Sequence, residues 1–151
     1  MIPKFLTKEE ICLGENSKTI LDKNIVEEWL REIHSICLNE ENVTVNNRPW
    51  RGKVNKTLAY MTEKNLRKDD LIPIILKLGV QNYSYTQEDR NSNFAGEKFW
   101  FFGITETMVD CQENLYIKLK VRELNGKKLL IMSFHPETHF DDEYQLTYPY
   151  R

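Results

Sequence analysis

No apolar run in this 151-residue chain approaches the roughly 20 residues that a membrane-crossing helix needs. The opening stretch MIPKFLTKEE has no apolar signal core, so no export signal is expected. Cysteine is scarce: Cys12, Cys37 and Cys111 are an odd set with no CxxC pair. That argues against a disulfide framework and against a zinc site, and it points to reduced thiols in a cytoplasm. An excess of positive charge is also missing. Lys and Arg number 21 against 23 Asp and Glu, a net charge of −2, whereas a nucleic-acid-binding domain is usually basic. Internal repeats and low-complexity segments are absent. What is present is ordinary globular material: 40% hydrophobic, 29% charged and 11% aromatic residues, in 18.0 kDa. That composition excludes a disordered chain and fits one core and one domain over residues 1–151.

The charges are unevenly spread. Arg48, Arg51, Lys53 and Lys56 lie in a stretch without an acid. Lys118, Lys120, Arg122, Lys127 and Lys128 are accompanied only by Glu123. Acids collect at Glu27–Glu28, at Glu40–Glu41 and from Asp141 to Glu143. A local field near a groove acts on a ligand more than the total charge does. The plainer reading of any one cluster is a solvated surface.

The helix signals come early. TKEEICLG predicts a short helix, with Thr7 as cap, Glu10 as its capping-box partner and Gly14 as stop. NIVEEWLREIHSICLN predicts a longer one. Ile25, Trp29, Ile33, Ile36 and Cys37 follow helical spacing, Val26 and Leu30 widen the stripe, and Asp22 or Asn24 caps the start. His34 sits on the shoulder of that stripe as a structural or exposed residue. Val43 and Val45 fit a short strand, and turn residues follow them. RKDDLIPIILKLG predicts a helix beginning near Asp69 or Asp70, whose charges suit its first turn, and ending by Gly79. QNYSYTQEDRNSNFAG is expected to be a loop, KFWFFGIT a central strand, and PETHFDDEYQLTYPYR an irregular tail. Helices first and strands later indicate an α+β domain with an antiparallel sheet.

LYIKLKVRELNGKKLLIMSFH predicts a hairpin. Asn125-Gly126 suits a two-residue type I′ turn, which fixes the register. Leu124 then faces Lys127, Val121 faces Leu130, Leu119 faces Met132, Ile117 faces Phe134 and Tyr116 faces His135. Ile117, Leu119, Val121, Leu130, Met132 and Phe134 form the apolar face. The other face sets Tyr116 beside His135, Lys118 beside Ser133, Lys120 beside Ile131 and Arg122 beside Leu129. Lys118 is diagonal to His135, at roughly 7–8 Å between backbones.

A phenol, an ammonium and an imidazole in contact range are suited to RNA cleavage without a metal. Such cleavage needs a base for the 2′-OH proton, an acid for the leaving 5′-oxygen, and cations to hold the phosphate. His135 is the candidate proton-transfer residue, as general acid to the leaving oxygen. Tyr116 would orient it, and Lys118 would stabilise the phosphate charge. Lys120 and Arg122 share the strand face as an RNA grip that Arg51 joins. Tyr148 or Tyr150, around Pro149, is placed either to stack on a base or to cover a core edge. The plainer alternative is the polar face of any half-solvated sheet.

The stretch Asp69 to Tyr150 resembles the MqsR-type toxins of bacterial toxin–antitoxin systems. DDLIPIILKL, NYSY, FWFFG, LYIKLKV, LLIMSFH and YPY match in order, and RGKVNKTLAYM fits a broader related group. The resemblance implies a RelE-like fold, a small twisted antiparallel sheet with helices packed on one face. Residues 61–151 would be the toxin-like core, and residues 1–60 a helical extension. It implies an mRNA-cutting ribonuclease that uses no metal or other cofactor, restrained by a cognate antitoxin, with the ribosome as a further candidate partner. Tyr116 and Lys118 match the family's tyrosine-x-lysine strand, and Tyr83 of the loop pair is a candidate RNA contact. His135 stands where the family has lysine, Tyr85 falls at or near its loop lysine, and Phe101 stands at its glutamine. These departures keep a second class open, a non-catalytic RelE-like module binding RNA or a protein. A metal site from His135, His139, Glu137, Asp141 and Asp142 is a distant third, because HPETH lacks a helix to align its histidines.

Overall fold

The structure, a computed structural model, describes residues 18–48, 53–137 and 146–151. Among them are helices α1 (Lys23–Ile36), α2 (Lys56–Lys64) and α3 (Lys68–Leu76). The strands are β1 (Val43–Val45), β2 (Tyr83–Glu88), β3 (Lys98–Met108), β4 (Cys111–Glu123) and β5 (Lys127–Pro136). They form one open five-stranded sheet in the order β1-β5-β4-β3-β2. The class is α+β, as expected. The sheet is mixed, not purely antiparallel, because β1 runs parallel to β5, with Val43 opposite Leu129. None of the described helices is long and apolar enough to cross a membrane. The expected helix at Thr7–Gly14 and the residues Cys12, Arg51, His139, Asp141 and Asp142 lie outside the described residues.

Each helix has a local reason. Asp22 caps α1 by accepting a 3.0 Å hydrogen bond from the Asn24 amide. Its buried stripe is Val26, Leu30, Ile33 and Ile36. Ile25, expected on that stripe, is 48% exposed, so the buried face is centred one residue further along. His34 Nε2 lies 3.1 Å from the Ile75 carbonyl, which ties α1 to α3. The Asn55 side chain caps α2 by accepting from the Leu58 amide at 3.1 Å, and Asn65 ends it in the left-handed region at φ 55°. Asp70 accepts from the Arg67 amide at 2.8 Å and so fixes the start of α3 at Lys68.

All three helices contribute side chains to one large core cluster with the sheet. Val26, Leu30 and Ile33 of α1 and Leu71 and Ile75 of α3 share a core with Phe102, Ile117, Leu119, Leu129, Ile131 and Phe134. Trp29 stacks on Trp100 with centroids 4.1 Å apart. In α2, the Thr57 hydroxyl accepts a buried 2.8 Å hydrogen bond from the Phe134 amide. Thus α1 and β1 build the same core as the strands that follow, and residue 60 lies within α2.

Three expectations about the strands change. The stretch expected as a loop after Gly79 holds strand β2 from Tyr83, which is fully buried against Phe102 and Trp100. The β4–β5 turn is a three-residue loop, Leu124–Gly126, closed by the pair Glu123 and Lys127. Asn125 and Gly126 do take positive φ, at 53° and 99°, but one residue later than a two-residue turn requires. A bulge between Lys118 and Leu119 then absorbs the offset. Beyond it Ile117 faces Phe134 and Tyr116 faces His135, as expected. On the turn side of the bulge, Leu119 faces Ile131, Lys120 faces Leu130 and Arg122 faces Lys128. Leu129 and Ile131 therefore enter the core in place of Leu130 and Met132.

Candidate functional site on the outer sheet face

The face away from the helices carries a second, smaller apolar cluster of Tyr85, Phe101 and Tyr116, with Phe99 and Leu146 packed on it. Alternation puts it there. Tyr85 of β2 pairs with Phe101 of β3, Phe101 with Lys118 of β4, and Lys118 with Ser133 of β5. The neighbouring row is Gly103, Tyr116 and His135. Rings therefore run across four strands. Tyr85 stacks on Phe101 at 4.1 Å, Phe101 meets Tyr116 edge-on at 6.0 Å, and Tyr116 stacks on His135 at 5.2 Å with 19° between planes.

Tyr116 and His135 are each 4% exposed. Burial lowers the imidazole's pKa below its usual value. A hydrogen bond to the Pro136 carbonyl opposes this, and the positive charge of Lys56, at the start of α2, adds to it. His135 is thus neutral at pH 7. Its Nδ1 lies 3.0 Å from the Pro136 carbonyl, which can only accept, so Nδ1 carries the proton and Nε2 is the basic nitrogen. Lys118 holds its ammonium 4.1 Å from the Phe99 ring centroid and 5.5 Å from that of Phe101.

The other expected site residues are placed differently. Lys120 is 1% exposed, with its ammonium paired to Asp89 and lying 3.0 Å from Glu97. Arg122 donates to both oxygens of Glu97, each at 3.0 Å. Those bonds hold the Glu97 carboxyl below its usual range, with the Arg122 contact the larger cause. The Phe94 ring lies 4.1 Å from the Arg122 guanidinium and 4.9 Å from the Lys120 ammonium. The two cations expected to grip RNA are thus balanced by carboxylates from the 89–97 connection.

Tyr83, also expected at RNA, lies in the main core. Its hydroxyl accepts from the Leu21 amide at 3.1 Å, donates to the Thr19 carbonyl at 3.2 Å, and lies 2.7 Å from the Thr86 hydroxyl. The two tail tyrosines lie in different places. Tyr150 stacks on Tyr83 at 5.9 Å and its hydroxyl bonds the Leu21 carbonyl, so it covers a core edge. Tyr148 lies on the outer face, donating to Glu137 Oε1 at 2.8 Å.

Several neighbours of the site carry only a weak signal in the sequence. Lys56 was seen only as part of a basic stretch. Asp89 and Glu97 were hidden by the loop assignment, although they flank a short segment directly before the aromatic strand. Phe99 and Phe101 follow from the period-2 alternation of KFWFFG once its two faces are separated. Among the described residues no cluster of His, Cys, Asp and Glu is arranged to hold a metal ion. Cys37 is a buried free thiol whose pKa burial pushes up to about 11, and Cys111 is an exposed one. Set against family models, curated proteins and solved structures, the chain finds no match.

Proposed function

We propose that this protein is a toxin-type endoribonuclease that cleaves mRNA without a metal, with its reactive centre at Tyr116, His135 and Lys118. The observation that carries the reading is the stacked cross-strand pair of Tyr116 and His135, with Lys118 in the adjoining row of the same face and its ammonium over Phe99. The likeness to MqsR-type toxins supports it, and implies a cognate antitoxin as partner.

A neutral imidazole held below its usual pKa is a better base than acid. The proposed role of His135 is therefore to take the 2′-OH proton on Nε2. The 2′-oxygen then attacks phosphorus and the P–O5′ bond breaks, leaving a 2′,3′-cyclic phosphate and a 5′-hydroxyl that gains a proton from solvent. Lys118 steadies the charge building on the phosphate oxygens. Stacking against Tyr116 fixes the ring plane of His135.

The test is cleavage of a short RNA by purified wild type and His135→Ala with EDTA present. Loss of an acid–base group should slow cleavage by roughly 10²–10⁴-fold. Equal rates remove His135 from the reaction, and loss of wild-type activity on chelation replaces it with a metal-dependent one.

A second reading, a non-catalytic module that binds RNA or a protein, is favoured by a separate observation. Tyr116 and His135 are almost fully buried, and Lys120 and Arg122 already have carboxylate partners. Cleavage-inactive wild type that still binds RNA or a partner protein would select it.

A further inference from the structure

Gly103 sits inside β3, an internal strand, where glycine weakens a sheet unless something must approach the backbone closely. Here something does. A Cβ at Gly103 would lie 2.0 Å from the Tyr148 hydroxyl oxygen and 2.9 Å from both Tyr148 Cζ and Leu146 Cδ1. The missing side chain is therefore the seat into which the hydroxyl end of Tyr148 is set. Gly103 is the cross-strand partner of Tyr116, so the seat adjoins the proposed centre. Leu146 packs on the Tyr85, Phe101 and Tyr116 cluster.

The anchoring of this segment is asymmetric. Tyr150 is built into the edge of the main core through Tyr83 and the Leu21 carbonyl. Tyr148 is half-buried, bonded to Glu137 at 2.8 Å and overlain by the Arg151 guanidinium at 4.1 Å. Neither Leu146 nor Tyr148 belongs to the helix-side core. Lifting them would uncover a flat glycine floor beside a tyrosine, flanked by stacked rings. That is the geometry on which a base stacks, since every base has a π face.

We infer that Leu146 and Tyr148 form a displaceable cover over the outer face, and that Tyr148 occupies a ring seat on Gly103 which a nucleobase of the substrate takes when the cover lifts. This rests on the proposed RNA-directed function and deepens it. Leu146 packs on the cluster that contains Tyr116, so displacing the cover would open the Tyr116 side of the pair.

Hydroxyl-radical footprinting of the full chain, read by peptide mass spectrometry, tests the inference. In wild type Tyr116, Phe101 and Tyr85 should be protected. Gly103→Ala should expel Tyr148 and raise oxidation of Tyr116 several-fold, with Trp100 still protected as the control for the main core. Tyr148→Ala removes the occupant without touching the floor, and carries the test where Gly103→Ala unfolds. A 2′-deoxy hexanucleotide of mixed sequence, which cannot undergo 2′-OH cleavage, should then restore Tyr116 protection in Tyr148→Ala. Unchanged Tyr116 protection in Tyr148→Ala overturns the cover. Lost protection that the hexanucleotide fails to restore overturns the nucleobase seat. Restored protection without cleavage of RNA by wild type leaves the seat standing and removes the ribonuclease reading instead.

Discussion

Replacing Lys120 with methionine separates a structural cation from a substrate grip. The side chain is 1% exposed, its ammonium is paired to Asp89 and lies 3.0 Å from Glu97, and the Phe99 ring centroid is 4.4 Å away. Methionine keeps most of the stem and deletes the charge. Glu97 retains Arg122 at 3.0 Å, so the carboxylate left uncompensated is chiefly Asp89, whose side chain is 9% exposed. Removing one partner of a buried pair costs about 3–5 kcal/mol. With Glu97 still held, the low end applies, about 3 kcal/mol. At a urea slope of about 2 kcal/mol/M, the midpoint should fall by about 1.5 M. Fluorescence of the Trp29–Trp100 stack reports the transition. Asp89→Asn with Lys120→Met should recover part of the loss, a coupling of about 0.5–3 kcal/mol. RNA binding by the folded single variant should keep the salt dependence of wild type, because the deleted charge was already balanced. A cost below about 0.5 kcal/mol, typical of open surface, would refute the buried-pair reasoning. A flatter salt dependence would return Lys120 to the RNA contacts.

Other perturbations have equally definite outcomes. His135 has a pKa below the ordinary 6.5 because it is buried, so just below pH 6.5 the unfolded chain takes up a proton that the fold refuses. Stability should therefore fall as pH drops through 6.5, and His135→Gln should flatten that slope in urea titrations at a series of pH values. Thr57→Val keeps the shape of a buried side chain but strands the Phe134 amide, and should cost about 1–3 kcal/mol in the same assay. Gly126→Ala forces a Cβ onto a residue at φ 99° and should cost about 1 kcal/mol, measured as a lowered urea midpoint with unchanged slope.

How much of this was legible in the sequence depended on the range of the interaction that fixed each part. The caps of α1 and α3 are set by contacts within three residues, and Asp22 and the Asp69–Asp70 pair announced them. The stacking partners Tyr116 and His135 were placed opposite each other, but through compensating departures. The loop is one residue longer than a type I′ turn, and the bulge beside Lys118 restores the pairing. The tight two-residue connection lies instead at Val109–Asp110, between Met108 and Cys111, with Val109 at φ 64°. A β-branched residue avoids that region, so tertiary pairing imposes a conformation which no local signal advertises. Strand β2 was missed for a similar reason. YSYTQE is polar enough to pass for a loop until Thr86 is seen bridging Thr19 and Tyr83 filling the core.

The outer face of β4 is divided by chemistry along a single strand. Tyr116 and Lys118 lie beyond the bulge, among rings and next to His135. Lys120 and Arg122 lie on the turn side, against Asp89 and Glu97 from the β2–β3 connection. Alternation alone makes these residues equivalent, one after another on the same face. What marks the turn half is that a neighbouring segment supplies two acids to it. The 89–97 connection lies beside the turn half only, so its carboxylates neutralise that half and tie the connection to the sheet. At the other half, burial, aided by the like charge of Lys56, holds the His135 imidazole below its usual pKa. An anionic chain approaching the turn half would meet the carboxylates of Asp89 and Glu97 beside Lys120 and Arg122. The same alternating pattern thus builds a structural ion network at one end of the strand and a row of stacked rings ending at Tyr116 and His135 at the other.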